Sequence, residues 1–394
     1  MSLKDKVAIV GVGCTQFAEN FDMSYEDMVV EAAYEAFAEA NVGPEDIEMA
    51  WLGTAFPDAG VWKGRSGMDL AEPLGLYDIP ITRVSNYCAT GADAFRNACM
   101  AVLAGECRVA LALGAEKLRD RSPTESLVRM QVETGHPYYQ KGLTAPGMFA
   151  LYATRHFELF GVTREILAQI SYKNHKHAVL NPKAQYRREI PLEAILNAPM
   201  ASWPLSVLDC CPTTDGAAAA VIVRTEDAKS FNPDYVLVKG IGLAVSAGWD
   251  SPFYTSDYDF LGFRATRQAA AQAYKEAGIK NPLEEVDLAE LHDCFTIVEL
   301  MTYEDLGFCE RGKGSQLVRD GTTTREGRLP CNVSGGLLSC GHPVGATGLR
   351  MIYEVTKHLQ GKAGDRQIKN ARIGLTENMG GPGAVSNVVI LGAQ

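Results

Sequence analysis

The tripeptide Ala-Thr-Gly occurs twice in this 394-residue chain, as Ala89-Thr90-Gly91 and as Ala346-Thr347-Gly348. The first copy directly follows Cys88, and the second begins four residues after His342. Each opens a run with helical apolar spacing, and each follows a short strand-like or Gly-rich stretch. A chain that builds the same strand–turn–helix corner twice is constrained to two similar α/β units related by a pseudo-two-fold axis. A thiol at one corner and an imidazole at the other are then candidates for a nucleophile and its base.

The repeat extends well beyond the tripeptide. In the first half, Val7–Gly13 reads as a buried strand and Ser24–Asn41 as a helix, with Ser24 as N-cap and Asp27 three residues on. Ile47–Phe56 reads as a strand, Asn86–Ala104 as a helix ending at Gly105, and Arg108–Gly114 as an apolar strand. The second half repeats this order with Tyr235–Leu243, Arg264–Gly278, Val286–Leu291, Gly345–Leu359 and Ala371–Leu375. Ala32–Val42 lies over Ala269–Ile279, which sets Phe37 against Tyr274, brings Phe56 near Phe295 and puts Thr90 on Thr347. Two such units, not a solenoid, account for a repeat of this size. Their strand–helix alternation implies a largely parallel sheet covered by helices. Gly11-x-Gly13 lacks the third glycine of a dinucleotide fingerprint, so nicotinamide binding is not expected.

Between the units, Lys117–Val207 is rich in Arg, Lys, Tyr, Pro and Gly, before Gly216–Val223 resumes as a buried strand. The expected organisation is therefore an N-terminal unit over 1–116 and 208–230, an insertion over 117–207, and a C-terminal unit over 231–394. Within the insertion, Ser171–Arg188 carries Lys173, Lys176, Lys183, Arg187 and Arg188 and no acid. On a chain of net charge −11, that local excess is a candidate site for a polyanionic ligand; a solvated charged face reads the same. The overall acidity argues against non-specific nucleic-acid binding. No apolar run approaches the roughly 18 residues of a membrane span. The apolar run Val7–Val10 is too short for a signal peptide, so a cytoplasmic protein is expected. Ten cysteines are scattered without any Cys-x-x-Cys, which favours reduced thiols over disulfides or a metal site.

Four pieces carry chemistry. Cys88 sits at a strand-to-helix turn, where unpaired N–H groups and the helix dipole lower a thiol pKa; a buried inert cysteine is the alternative. His342 lies in Ser339-Cys340-Gly341-His342-Pro343-Val344-Gly345, a tight turn whose backbone can approach a ligand. Gly135-His136-Pro137 repeats part of it without a helix start after it. His292-Asp293-Cys294-Phe295 follows a strand end, the usual place for chemistry in α/β sheets. There His292 would donate to an oxyanion and Cys294 would move a proton, unless the segment is simply a core strand end. Gly380-Gly381-Pro382-Gly383 offers backbone N–H groups to an acyl oxygen, or is a plain hairpin turn.

In this order and across essentially the full length, Ser85-Asn86-Tyr87-Cys88-Ala89-Thr90-Gly91, His292-Asp293-Cys294-Phe295, Gly341–Gly348 and Gly380–Gly383 resemble the thiolase superfamily. Asp215-Gly216-Ala217-Ala218-Ala219 also looks like a strand start of that family. Many thiolases carry Asn-Glu-Ala-Phe where this chain has His-Asp-Cys-Phe, and a second catalytic cysteine where this chain has Asn378. The pattern is similar to the sterol-carrier-protein type, in which the cysteine of His-Asp-Cys-Phe serves as acid/base and the histidine takes the oxyanion place of Asn.

The resemblance implies the α/β thiolase fold, with two βαβαβαββ halves in five α-β-α-β-α layers and an inserted loop domain that binds coenzyme A. It implies ping-pong acyl transfer between CoA esters, with acyl-Cys88 as intermediate, His342 as base, Cys294 as acid/base, and His292, Gly380 and Gly381 around the oxyanions. CoA is then a substrate, with no prosthetic group, and the basic stretch is the candidate for its phosphates. A homodimer or dimer of dimers is implied, as is a possible zinc-ribbon/OB-fold partner on a separate chain. Rivals of the same fold are ketoacyl or hydroxymethylglutaryl-CoA synthases and a steroid side-chain aldolase. Retention of both Cys88 and Cys294 argues for thiolysis over these, and over a non-catalytic acyl-CoA-binding scaffold. A benzoylsuccinyl-CoA-type enzyme for aromatic or branched substrates stays open, with Tyr138, Tyr139 and the run Trp249–Tyr258 as candidate pocket aromatics.

Overall fold

The computed structural model describes residues 2–131, 141–246 and 258–394. The first unit runs β1 (Val7–Cys14), α1 (Tyr25–Ala40), β2 (Met49–Gly53), α2 (Met68–Leu74), β3 (Ile81–Val84), α3 (Thr90–Ala104) and β4 (Val109–Glu116). The insertion follows, with helices α4 (Ala145–Phe160) and α5 (Arg164–Ala178) and a small hairpin, β5 (Met200–Ser202) and β6 (Leu205–Ser206). Strand β7 (Gly216–Arg224) closes the unit. The second unit runs β8 (Val236–Val245), α6 (Arg264–Ala277), β9 (Leu288–Leu291), α7 (Thr296–Asp305), α8 (Gly336–Cys340), α9 (Thr347–Leu359), β10 (Ile373–Gly380) and β11 (Val385–Gly392).

The strands form one ladder in the order β3-β2-β4-β7-β1-β8-β11-β10-β9. Its halves meet where β1 pairs with β8 through Ala8↔Leu237 and Ile9↔Val236. Across that junction β7 corresponds to β11, β4 to β10 and β2 to β9. The counterpart of β3 is reduced to the single bridge Ala289↔Cys331. The expectation of a largely parallel sheet needs correction. Pairing is parallel at β2–β3, β2–β4 and β9–β10, and antiparallel at the other junctions among the described residues. The reason is connectivity: β11 follows β10 by a tight hairpin, which only antiparallel strands allow, and β7 runs back along β4 after the insertion.

Three apolar clusters give the layers. Ala32, Ala36 and Phe37 of α1 pack on Ala8, Val10, Leu52, Leu111 and Val221. Phe95, Ala98 and Val102 of α3, with Leu349, Ile352 and Val355 of α9, fill the space between Val7, Ile9, Ala110 and Ile222 of one half-sheet and Val238, Leu288 and Val389 of the other. Ala269 and Ala273 of α6 cover Leu291, Leu375, Val388 and Ile390. The arrangement is helix, sheet, helix, sheet, helix. Strands covered on both faces read as continuous apolar runs, not as alternation. Gly11-x-Gly13 has its explanation here. A Cβ at Gly11 would lie 2.1 Å from Ala36 O, and one at Gly13 would lie 2.0 Å from Ala32 O, so the glycines let α1 rest on β1. Gly240 and Gly242 serve α6 on β8 in the same way.

In the middle layer the N-termini of α3 and α9 touch. Both helices begin later than their apolar pattern indicates, at Thr90 and Thr347, because the preceding residues form turns. Ala89 N donates to Asn86 O at 3.1 Å, and Ala346 N donates to Pro343 O at 2.9 Å. A Cβ on Gly91 would lie 2.7 Å from Gly345 O, and one on Gly348 would lie 2.4 Å from Ala92 N. These two neighbours are backbone and cannot rotate away, and at Gly348 the buried Asn378 Oδ1 lies equally close to the added carbon. Gly348→Ala is therefore expected to destabilise the protein by about 1–3 kcal/mol or more, as overpacking does. Urea unfolding checks this, and a variant as stable as the parent would contradict the packing described.

Candidate active site

The two Ala-Thr-Gly corners place their reactive side chains through the threonines. At the first corner, Thr90 Oγ1 accepts from Asn86 N at 2.8 Å and donates to Tyr87 O at 2.5 Å. This fixes the turn that carries Cys88, and Tyr87 is held at φ +50°, a conformation that ordinary side chains rarely adopt. At the second corner, the Thr347 hydroxyl donates to Pro343 O at 3.0 Å, leaving its oxygen to accept from His342 Nδ1 at 2.7 Å. His342 N in turn donates to Thr214 Oγ1 at 3.0 Å. With its proton on Nδ1, His342 keeps a bare Nε2.

The end of β9 supplies the third wall. Asp293 is buried and accepts from Leu337 N at 2.6 Å and from Asn174 Nδ2 at 2.8 Å. It thereby ties the segment to α8 and α5 and leaves His292 and Cys294 to face the cavity. Two carboxylates hold the strand ends in matching ways. Glu116 accepts from Ala55 N and Phe56 N at 3.0 Å each and from Gly345 N at 2.8 Å. Glu377 accepts from His292 N at 3.3 Å and from the hydroxyls of Thr266 and Ser386.

Cys88 Sγ and one ring nitrogen from each of His292 and His342 lie within 4.8 Å of one another. The imidazoles meet edge-on, 5.2 Å apart between centroids. All three residues line one cavity of about 570 Å³, together with Cys294 and Gly381, between apolar walls that include Phe56, Met148, Phe149 and Phe295.

Burial dominates the electrostatics. It pushes the Cys88 thiol up to about 12, against the opposing pull of the Gly381 backbone N–H. The expected lowering by the helix terminus does not prevail, because desolvating a thiolate outweighs it. Burial, then the charge of Arg350, brings His342 down to about 3. Burial, then His342 and Arg350, keeps His292 well below the ordinary histidine range. Cys294 is pushed well above the ordinary thiol value, first by burial and then by Cys211 and Cys88. Cys88, Cys294, His292 and His342 are thus all driven toward their uncharged forms.

Comparison with known proteins places the chain as a whole in a family. The thiolase N-terminal domain model matches residues 7–199, and the thiolase C-terminal domain-like model matches residues 247–393. An acetyl-CoA acetyltransferase of Methanothermobacter thermautotrophicus is 38% identical over 386 residues, which is 98% of each chain. Sterol carrier protein 2 of Bos taurus is 36% identical over 403 residues, covering 97% of this chain and 72% of that protein.

The chain belongs to the thiolase family.

It is an acyl-CoA acyltransferase enzyme of the thiolase type. A solved structure described as "Ltp2-ChsH2(DUF35) aldolase" superposes with a TM-score of 0.84 at 29% identity, over 99% of this chain and 98% of that one.

Within this thiolase the sequence-predicted residues separate clearly. Cys88, His292, Cys294, His342 and Gly381 line the cavity. Gly380 ends β10, where a Cβ would lie 2.5 Å from Asn86 O, so it seats the glycine loop against the Cys88 turn. Of the basic residues, only Arg188 lines the reaction cavity. Lys173 is buried in an ion pair with Glu299, and Lys183 is bound to Cys14 O and, at 2.9 Å, to Glu35. Neither is available to a phosphate. Lys176 borders a separate cavity of about 300 Å³, and Arg187 is exposed outside both. Tyr138, Tyr139 and the Gly135-His136-Pro137 turn lie outside the described residues, as does Trp249–Tyr258 except for Tyr258, whose hydroxyl meets that of Tyr152 at 2.7 Å.

Three cavity residues escaped the sequence reading. Cys210 and Cys211 also line the cavity, and their adjacency in sequence was the available signal. His175 also lines the cavity, is buried, and leaves Nδ1 without a hydrogen-bond partner. Burial, then Arg188, brings it down to about 4. Since His292 and His342 are both held below the ordinary histidine range, their imidazolium forms are absent at neutral pH. Their C2–H resonances are expected to stay fixed between pH 5 and 8. A midpoint near 6.5 for either would contradict the electrostatics described.

Proposed function

We propose that this thiolase catalyses the reversible, CoA-dependent cleavage of a 3-oxoacyl-CoA, or the reverse Claisen condensation, through an acyl-Cys88 intermediate. The observation that supports this most is the convergence of Cys88 Sγ with two neutral imidazoles in one apolar cavity that also bears Cys294 and the Gly381 amide. His342 Nε2 takes the thiol proton as Cys88 Sγ attacks the 3-oxo carbon, so no free thiolate is needed. The Cys88 and Gly381 backbone N–H groups receive the oxyanion, with Gly380 seating that loop. The C2–C3 bond then breaks and leaves the acyl group on Cys88. The departing thioester enolate is held by His292 and by His342, now protonated, and Cys294 donates the proton that completes it. Cys294 next accepts the proton of an incoming CoA thiol. The CoA sulfur attacks the acyl carbon, and His342 returns its proton to Cys88.

Segment 117–207 is read as the CoA-binding loop domain between a 1–116 plus 208–230 half and a 231–394 half. Arg188, at the cavity, replaces the five-residue basic stretch as the candidate for a CoA phosphate. CoA serves as substrate, with no prosthetic group or metal. A cytoplasmic homodimer or dimer of dimers acting on lipid or aromatic acids is the setting we favour. No helix among the described residues is long and apolar enough to cross a membrane.

A second reading is an aldolase that acts with a separate zinc-ribbon/OB-fold chain. It is favoured by one observation, the likeness to a structure whose description names an aldolase together with a DUF35 module. Cleavage of 3-oxoacyl-CoA esters with and without added CoA separates the two, because only acyl transfer consumes CoA. Cys88→Ala should abolish turnover. Cys294→Ala should still acylate at Cys88, seen as added mass, while exchange of the acetyl-CoA α-proton falls by about 10²–10⁴-fold, the usual worth of a general acid/base. Unchanged exchange would remove Cys294 from the scheme. Arg188→Ala should raise the KM for CoA by up to about fivefold, as for one exposed ion pair, and leave kcat unchanged.

A further inference from the structure

Where many thiolases carry a second catalytic cysteine, this chain has Asn378, and Asn378 is fully buried at the end of β10. Its Nδ2 lies 3.2 Å from Nδ1 of His292. An amide NH2 only donates, so Nδ1 of His292 must accept. The amide orientation is the favourable one. Asn378 Oδ1 has no hydrogen-bond partner and faces the Cα side of Gly348, where a Cβ would lie 2.4 Å from it. Turning the amide over would leave the whole NH2 group buried against that carbon. That would leave two N–H donors unpaired, where the present orientation leaves one N–H and the carbonyl, and a buried carbonyl tolerates a missing partner better than a buried N–H does. A neutral imidazole has one proton, so a His292 that accepts at Nδ1 carries it on Nε2. His342 is arranged the opposite way, with its proton on Nδ1 facing Thr347.

We propose that Asn378 is a positioning residue that holds His292 as the Nε2–H tautomer, so that the cavity presents one imidazole that donates and one, His342, that accepts. Asn378 itself touches no substrate in this scheme. It acts through His292, which would donate to the thioester oxygen of the enolate. The backbone N–H of His292, held by the neighbouring Glu377, fixes the ring's origin, and Asn378 fixes the position of its proton. The proposal rests on the acyl-transfer reading for its consequence but not for the tautomer itself, which is a property of the resting protein.

The test has two arms. In the first, the protein is labelled with 15N-histidine and its long-range 1H–15N spectrum is recorded. His292 and His342 are assigned among the seven histidines by loss of their signals in His292→Asn and His342→Asn. The expected result is Nε2–H for His292 and Nδ1–H for His342. Nδ1–H at His292 would overturn the proposal whether or not any variant folds. In the second arm, Asn378→Asp keeps the shape of the side chain but turns a donor into an acceptor. His292 should then switch to Nδ1–H while His342 is unchanged. Loss of one oxyanion donor should lower kcat for thiolysis by about 10²–10³-fold, with the KM for both substrates within about threefold of the parent. A folded Asn378→Asp that keeps the parent kcat would also overturn the proposal. If the parent cleaves no 3-oxoacyl-CoA ester at all, the acyl-transfer reading fails, and the first arm still decides the tautomer.

Discussion

The contact on which the rest depends is the meeting of two helix N-termini at Gly91 and Gly348. Helix ends present unpaired N–H groups and partial positive charge, and two of them are rarely brought together in the centre of a domain. Here each end is relieved by its own turn. Asn86 and Tyr87 supply the acceptors before α3, and Pro343 supplies one before α9. The contact requires glycine on both sides because backbone atoms, Gly345 O at one and Ala92 N at the other, stand where a Cβ would go. Its consequence is chemical. Each turn that relieves a helix end also carries a reactive side chain, so bringing the ends together brings Cys88 and His342 into one cavity.

Burial then decides what those side chains can do. An exposed cysteine–histidine pair already leans to thiol and neutral imidazole, since the ordinary cysteine value of about 8.5 lies above the histidine value of about 6.5. In this cavity burial raises Cys88 and lowers His342, so the pair rests neutral. The surrounding carboxylates contribute geometry. Glu116 and Glu377 are each pushed up to about 7 by burial; Glu116 accepts backbone N–H groups just beyond β2, and Glu377 accepts one just beyond β9 together with the hydroxyls of Thr266 and Ser386. They occupy matching places in the two half-sheets, so the duplicated architecture includes its supports as well as its corners.

Much of this was legible in the chain. The repeat shows as two Ala-Thr-Gly tripeptides and two alanine-rich helices, because close packing at the pseudo-axis and over the Gly-x-Gly strands restricts residue choice in both halves. The cavity-facing Cys88, His292, Cys294 and His342 stand in short motifs, since a strand end or a tight turn sets each of them locally. What was not legible depends on partners far away in sequence. Lys173 and Lys183 read as free cations because Glu299 and Glu35, which neutralise them, lie 126 and 148 residues away. His175 lies unremarked within the basic stretch, although α5 turns it into the apolar wall. Strand direction was misread for a related reason: it is set by how β7 and β11 return, and apolar runs carry no arrow.

The duplicated threonine shows how a symmetric scaffold yields an asymmetric site. Thr90 and Thr347 each donate their hydroxyl proton back to a carbonyl of the preceding turn, which leaves an oxygen lone pair facing that turn. In the first copy the lone pair is taken by the Asn86 backbone N–H, so the turn closes on itself and Cys88 is left unpartnered by Thr90. In the second copy Gly341, at φ +108°, and Pro343 shape the turn so that the imidazole of His342 reaches the same lone pair. One hydrogen-bond geometry therefore frames the Cys88 thiol in one half and orients the His342 imidazole in the other. The difference comes from a single choice, whether the threonine oxygen receives a backbone proton or an imidazole proton. Any substitution that made the two corners more alike would repair the symmetry of the fold at the expense of the chemistry.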